Sequence, residues 1–284
     1  MGISWSAVPG PVRAGVEARL GGRVAGAVDV SGGHSEGAAA RLRLADGRDV
    51  FVKAAADPAV RDFHRREAVV AARLPVSVPS PPLLFAFDDG PWAVLVFEFV
   101  AAVLPSPADR PRVLDTVTVM ASALTPAPVR PATPPRLGGF AGLAAADLAR
   151  VSPWAAEHLD DLVALESAAA RDGDTLLHGD LYLFNALVSP SRVYIVDWAH
   201  AWVGPRYCDA LMLMAGAPDA AALCAANPLT RDLPPRTVDA FLAAHAGFLL
   251  ALALRATNPA VGGTATALGR ASAEWLSRRL YSAT

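Results

Sequence analysis

Between Leu176 and Trp198 two carboxylates, a carboxamide and a histidine sit inside otherwise apolar sequence. The string is Leu176-Leu177-His178-Gly179-Asp180-Leu181-Tyr182-Leu183-Phe184-Asn185-Ala186-Leu187-Val188, followed by Val193-Tyr194-Ile195-Val196-Asp197-Trp198. Charge in an apolar setting is costly unless it is paired or holds a metal, so Asp180, Asn185 and Asp197 suggest a bound cation within a buried frame. Their spacing restricts that frame. Asn185 lies five residues after Asp180, and Asp197 twelve after Asn185. This fits a strand over Ala186–Val188, a turn at Ser189-Pro190-Ser191-Arg192 and a return strand over 193–196, a hairpin that delivers Asp197 beside Asn185.

Upstream, the pattern is of strands broken by turns. Residues 12–21 fit a short leading helix and 23–30 a strand; Ser31-Gly32-Gly33-His34-Ser35-Glu36-Gly37 then leads to a second alternating run over 39–44. Asp46-Gly47 is a hairpin signal and joins this run to a strand over 49–54. Gly32, Gly33 and Gly37 let the backbone approach an anion and present amide hydrogens to it, and Ser35 can add a hydroxyl. Lys53 shares a strand face with Phe51, where it is either a solvated edge charge or a ligand for an anion.

Pro58 opens a helix on which Phe63, Glu67, Val70 and Leu74 share one stripe. Glu67 on an apolar face needs a cation, and Lys53 on the adjoining strand is the natural candidate. The alternative is a surface glutamate among Arg65, Arg66 and Arg73. After Pro79-Ser80-Pro81-Pro82, strands over 83–87 and 92–97 flank Asp88-Asp89-Gly90. Pro105, Pro107 and Pro111 mark a change to helices, which places a boundary near Val100. Helical patterns follow over 113–124, 140–150, 153–170, 207–217, 236–257 and 264–282. In the third of these, Trp154, Leu159, Leu162 and Leu165 form the buried stripe, with Glu157, Asp160, Asp161 and Glu166 on the polar side.

His178-Gly179-Asp180, with Asn185 five residues beyond the aspartate and then Val196-Asp197-Trp198, resembles the aminoglycoside phosphotransferase and choline kinase group of small-molecule kinases. The resemblance implies an α+β, two-lobed protein-kinase-like fold. Its N-terminal antiparallel sheet lobe, with one helix, would span 1–100 and bind the nucleotide; a mostly helical C-terminal lobe over 101–284 would carry catalysis and acceptor binding. It implies ATP and Mg2+ as cofactors and a small-molecule hydroxyl as acceptor. Asp180 would orient that hydroxyl and take its proton, Asn185 and Asp197 would hold magnesium, and Lys53, positioned by Glu67, would hold the α and β phosphates.

Gly32, Gly33 and Ser35 would cover the phosphates, although their pattern is not the protein-kinase Gly-x-Gly-x-x-Gly. The backbone of Glu98-Phe99-Val100 would bind adenine. His178 is expected to brace the loop, Asp209 to act as a structural acceptor at a helix start, and His200 to pack. Trp198-Ala199 stands where protein kinases carry Phe-Gly, and the twelve residues from Asp197 to Asp209 leave no activation segment, so a protein acceptor is disfavoured.

A chain of 284 residues, 53% hydrophobic and only 18% charged, has ample core and little scope for disorder. Net charge is −2 with basic residues dispersed, so nothing points to a nucleic-acid surface. Cys208 and Cys224 have no metal-ligand spacing, the first residues lack a secretory pattern, and the most apolar window, 240–254, is interrupted by His245 and short for a bilayer. The expectation is a cytoplasmic protein, monomeric or weakly dimeric, that contacts neither nucleic acid nor membrane.

From Ala210 to Thr284 four acids face six arginines, which argues against a strongly anionic pocket for a polycationic aminoglycoside, although acids of the 153–170 helix could contribute. A less cationic alcohol is therefore also open: a sugar, an amino alcohol, or another antibiotic such as a peptide or macrolide. A catalytically inactive kinase-like binding protein is the alternative of a different class. Its usual mark, loss of the lysine, the base or a metal ligand, is not present.

Overall fold

A computed structural model of the chain describes residues 2–30 and 37–281. Gly32, Gly33 and Ser35 lie outside them. By their contacts the residues form two compact units, Met1–Val103 with Leu187–Ala201, and Leu104–Ala186 with Trp202–Thr284.

The first unit opens with α1 (Gly10–Leu20), which ends on Gly21 in the left-handed conformation. Strands β1 (Val24–Asp29), β2 (Ala38–Leu44) and β3 (Asp49–Ala55) follow, and then α2 (Pro58–Ala71). Asp57 caps α2 by accepting the amides of Ala59 and Val60. Strands β4 (Leu83–Asp89) and β5 (Trp92–Glu98) complete an antiparallel sheet of order β1-β2-β3-β5-β4. Alternate residues of β2, namely Ala38, Ala40, Leu42 and Leu44, are buried with Val50, Val52, Val94 and Val96 and with Val12, Val16 and Leu20 of α1. Strand period and helix period thus aim at one core. On α2 the inward residues are Val60, His64, Glu67 and Val70. Phe63 is only half-buried and Leu74 falls beyond the helix end, so the expected stripe is rotated by one residue and His64 joins it.

The chain enters the second unit with α3 (Arg110–Ala123), then α4 (Ala145–Leu148), α5 (Pro153–Glu157), α6 (Leu159–Ser167) and β6 (Thr175–Leu177). Two sequence expectations fail here. Residues 140–150 form a single turn at Phe140–Gly142 and the four-residue α4, not one helix. The 153–170 helix breaks at His158, whose Nδ1 lies 2.8 Å from the Trp154 carbonyl that its own amide also uses. Side-chain bonds of this kind compete with the helical ladder. Glu166, expected on the polar side, is buried.

Hairpin β7 (Ala186–Val188) and β8 (Val193–Ile195) returns the chain to the first unit, where Val188 bridges to Val103 and the Ile195 amide donates to the Pro79 carbonyl at 2.7 Å. That attachment takes 187–201 across the boundary drawn near Val100. Strand β9 (Trp202–Gly204) pairs with β6. Helices α7 (Cys208–Ala215), α8 (Ala220–Ala226), α9 (Pro235–Arg255) and α10 (Pro259–Tyr281) finish the second unit; α8 has no counterpart in the sequence reading. Helix α9, expected over 236–257, has 21 residues and is long and apolar enough, by length and composition only, to cross a membrane. It packs against α6, α7 and α10, with 67% of its most apolar window buried, as a core helix is.

Candidate active site

In the first unit the alternation of β3 sets Lys53 opposite α2. Its Nζ lies 2.9 Å from both carboxylate oxygens of Glu67, and it also pairs with Asp197. The Lys53 side chain is 14% exposed and that of Glu67 4%, so neither is a solvated edge charge. Burial works against the Lys53 ammonium, but Asp197 and then Glu67 outweigh it and hold the amine above lysine's ordinary value. Trp198 donates its backbone amide to Glu67.

Asp197 adopts φ 68 and ψ 58, and among the described residues it is the non-glycine with positive φ. Aspartate tolerates this region better than most residues, yet the surroundings must still enforce it. They do so from both sides. Strand β8 before it is tied to Pro79, and the turn Trp198–His200 after it packs on α2, where the His200 ring meets Phe63 at 5.1 Å between centroids.

In the second unit β6 runs into His178-Gly179-Asp180, where Gly179 has φ 75. Buried Asp209, in the first turn of α7, accepts the amides of His178 at 2.7 Å and Gly179 at 3.0 Å. Burial pushes the Asp209 carboxyl up, with His178 and the two amides pulling the other way. The Asp180 amide donates to His178 Nδ1 at 3.3 Å, and that of Leu181 to Met212 Sδ at 3.1 Å. Four successive amides are therefore held. His178 and Asp209 brace the loop as expected.

Asn185 donates its Nδ2 to the Asp180 carbonyl at 2.8 Å and to Asp180 Oδ2 at 3.2 Å. Its amide oxygen has no partner among the described residues and stays an acceptor. Glu98 is exposed at the end of β5, and the Val100 carbonyl accepts the Ala102 amide at 3.0 Å. The structure thus brings Lys53, Glu67 and Asp197 together in one unit, and Asp180 with Asn185 in the other.

Three groups beside Asp180 escaped the sequence reading. Arg136 Nη1 lies 2.6 Å from Asp180 Oδ1, with its guanidinium 4.8 Å from the centre of the Phe248 ring. Glu166 fixes the loop that delivers Arg136, accepting the amides of Gly139, Phe140 and Ala141 at 2.9, 3.1 and 2.9 Å. Finally, the Tyr182 hydroxyl lies 2.8 Å from His245 Nε2, and His245 Nδ1 lies 2.9 Å from Ser272 Oγ, itself bonded to the Leu268 carbonyl at 3.2 Å. Burial, and then Arg136, lowers His245 to about 3, so the ring is neutral and can accept from Tyr182. The available signals were Gly138-Gly139 after a Pro-rich stretch and a histidine inside an apolar helix; neither names a partner.

Among the described residues no three His, Cys, Asp or Glu side chains form a metal-binding group. Magnesium does not require one. It keeps several waters and takes one or two protein oxygens together with substrate phosphates. The Asp197 carboxylate and the Asn185 amide oxygen are donors of that chemistry.

An antiparallel sheet lobe and a helical lobe carrying these charged groups define an α+β fold of the protein-kinase-like class. The model of the phosphotransferase enzyme family, APH, matches residues 31–257, and the chain belongs to that family. Comparison with curated protein sequences gives no match. Among similar solved structures is a thermostable mutant of aminoglycoside phosphotransferase APH(4)-Ia in ternary complex with AMP-PNP and hygromycin B. It is 15% identical with a TM-score of 0.64, covering 97% of this chain and 100% of that one. A protein of Thermobifida fusca, provisionally assigned as a fructosamine-3-kinase, is 23% identical with a TM-score of 0.59, covering 93% and 98%. Macrolide 2'-phosphotransferase MphH of Brachybacterium faecium is 18% identical with a TM-score of 0.56, covering 89% and 95%. At these identities the likeness is one of fold.

Proposed function

We infer that the chain is an ATP- and Mg2+-dependent phosphotransferase acting on a hydroxyl of a small molecule. The observation that carries this reading is the ammonium of Lys53 held between Glu67 and Asp197. A buried cation fixed by one carboxylate and shared with a second is what phosphate binding beside a metal requires: Lys53 for the α and β phosphates, Glu67 to position it, Asp197 to exchange the lysine for the cation. Asn185 offers its amide oxygen to the same cation. Magnesium supplies neutralisation of phosphate charge there.

Asp180, oriented by Asn185 and Arg136, accepts the proton of the acceptor hydroxyl. The acceptor oxygen then bonds to the γ-phosphorus, the bond from that phosphorus to the β,γ-bridging oxygen breaks, and ADP leaves. Gly32, Gly33 and Ser35 cover the phosphates, and the backbone of Glu98 to Val100 binds adenine. ATP and magnesium are supplied in the cytoplasm, where two unbridged, buried cysteines are at home. The neighbours' names span hygromycin B, a macrolide and fructosamine, which supports transfer to a small molecule. An antibiotic acceptor would make the enzyme a resistance factor, and a sugar or amino alcohol a metabolic kinase.

The test is coupled ADP release with ATP and magnesium over aminoglycosides, macrolides, sugars and amino alcohols. Turnover on one class, reduced roughly 10²- to 10⁴-fold by Asp180→Ala, is expected. EDTA should abolish it and added magnesium restore it. ADP release equal in the variant and the parent, or none that depends on an acceptor, would count against the enzyme.

A further inference from the structure

We propose that Arg136 reads an anionic group on the acceptor, so that the substrate is a hydroxy acid whose hydroxyl stands one or two carbons from a carboxylate. The inference rests on the phosphotransferase reading and names the acceptor class for it.

Arg136 is a built feature of the second unit. Gly138 donates its amide to the Ala244 carbonyl at 2.6 Å, and Gly139 lies so close to α9 that a Cβ there would stand 2.5 Å from the Gly247 carbonyl oxygen. Glu166 clamps the next three amides, as described. With its loop held from α9 and α6, the guanidinium lies over the Phe248 ring and spends one nitrogen on Asp180. Arginine has five N–H donors in a rigid fork and can bridge two carboxylates at once. The remaining donors of Arg136 have no protein partner among the described residues, and the side chain is 18% exposed.

Three acids of the second unit are already engaged within the protein and are not offered to a polycation. Asp209 and Glu166, two carboxylates that could have drawn an aminoglycoside, are buried and taken up by backbone amides. Asp239 is paired with Arg279 at 2.5 Å. Distance then sets the spacing on the acceptor. A hydroxyl bonded to Asp180 and a carboxylate bonded to Arg136 are brought together by an ion pair of only 2.6 Å, which adjacent or next-but-one carbons can span.

The experiment compares each of glycerate, 3-hydroxybutyrate and gluconate with its methyl ester, which removes the charge and keeps every hydroxyl. Kanamycin serves as a polycationic control. ADP release is measured on the unmodified chain, R136K and R136Q, and saturation-transfer NMR reads binding without turnover. We expect at least one acid to be phosphorylated with kcat/KM roughly ten- to a hundredfold above its ester, and R136Q to remove that preference through KM, with R136K retaining part of it. Kanamycin or an ester turned over better than every acid would overturn the proposal while leaving the kinase intact. R136Q also loosens Asp180 and lowers kcat on every acceptor, so the acid-to-ester ratio is the readout: a ratio unchanged in R136Q would also overturn the proposal, because the guanidinium would then act only by orienting Asp180. If nothing is turned over, the kinase reading fails separately. NMR contact with the acids that R136Q abolishes would then still uphold the anion site, and no contact with any acid would end it.

Discussion

Two carboxylates share the single ammonium of Lys53, and that imbalance governs what changes at individual residues should do. Glu67→Ala leaves Lys53 buried with Asp197 alone. Breaking a buried pair costs about 3–5 kcal/mol, and the surviving partner puts the expected loss near the lower figure, about 3 kcal/mol by chemical denaturation. The same variant should raise the KM for ATP, because the lysine is then free to follow Asp197. Asn185→Ala removes both an oxygen donor and a bond that orients Asp180. Half-saturating magnesium is expected to rise at least about tenfold, read by titrating ADP release against Mg2+. The pairing of Lys53 with Glu67 was legible because one strand period and one helix turn determine which face each occupies. Arg136 was not, since forty-four residues separate it from Asp180 and only the docking of Gly139 on α9 closes that distance.

Among the elements, α9 does most to shape the second unit. At Gly247 an added Cβ would stand 2.6 Å from Glu166 Oε2 and 2.9 Å from the Phe140 ring, so Gly247→Ala presses on the clamp that holds the Arg136 loop. A loss of about 1–3 kcal/mol is expected from such overpacking, together with a fall in activity. Gly263, inside α10, has open space around its Cβ position, and Gly263→Ala should stabilise by up to about 1 kcal/mol with activity unchanged. Thermal melts of the two variants side by side decide between packing and propensity as the reason for each glycine. The strands and α2 were readable to within a residue or two because alternation and caps are local. The helices expected over 140–150 and 153–170 were not. Glu166 and His158 look like ordinary helical polar residues until tertiary partners claim them, and the glycines before Phe140 serve a loop whose shape α9 dictates.

Across the whole molecule, each unit encloses a neutral histidine. Burial, then the charge of Lys53, lowers His64 to about 4; burial, then Arg136, lowers His245 to about 3. An unfolded histidine takes its proton near 6.5, so both contribute stability that is complete above that value and is lost as pH falls toward 4 and then 3. For His64 the loss by pH 4 is on the order of 3 kcal/mol. Denaturation of the parent and His64→Asn at pH 7 and pH 4.5 provides the check. The destabilisation caused by the substitution should shrink at the lower pH, and a constant difference would mean that His64 is not buried neutral. Carboxyls that burial raises, such as Asp209, act in the opposite sense, which is why the variant comparison and not the bare acid slope isolates the histidine.

By itself the sequence determined the order of strands and helices in the first unit, the pairing of Lys53 with Glu67, and the family resemblance that the spacing of Asp180, Asn185 and Asp197 carries. Alternation, helical stripes and short loops are interactions over a few residues, and spacing alone exposes them. Only the tertiary structure decided that Asp209 clamps the loop of Asp180, that Glu166 turns inward to hold a segment expected as helix, that Arg136 meets Asp180, and that 187–201 packs with the first unit. Each depends on pairing groups far apart in the chain. Buried carboxylates and amides must find partners wherever packing brings them, and that choice is made by the whole core and not by any local pattern.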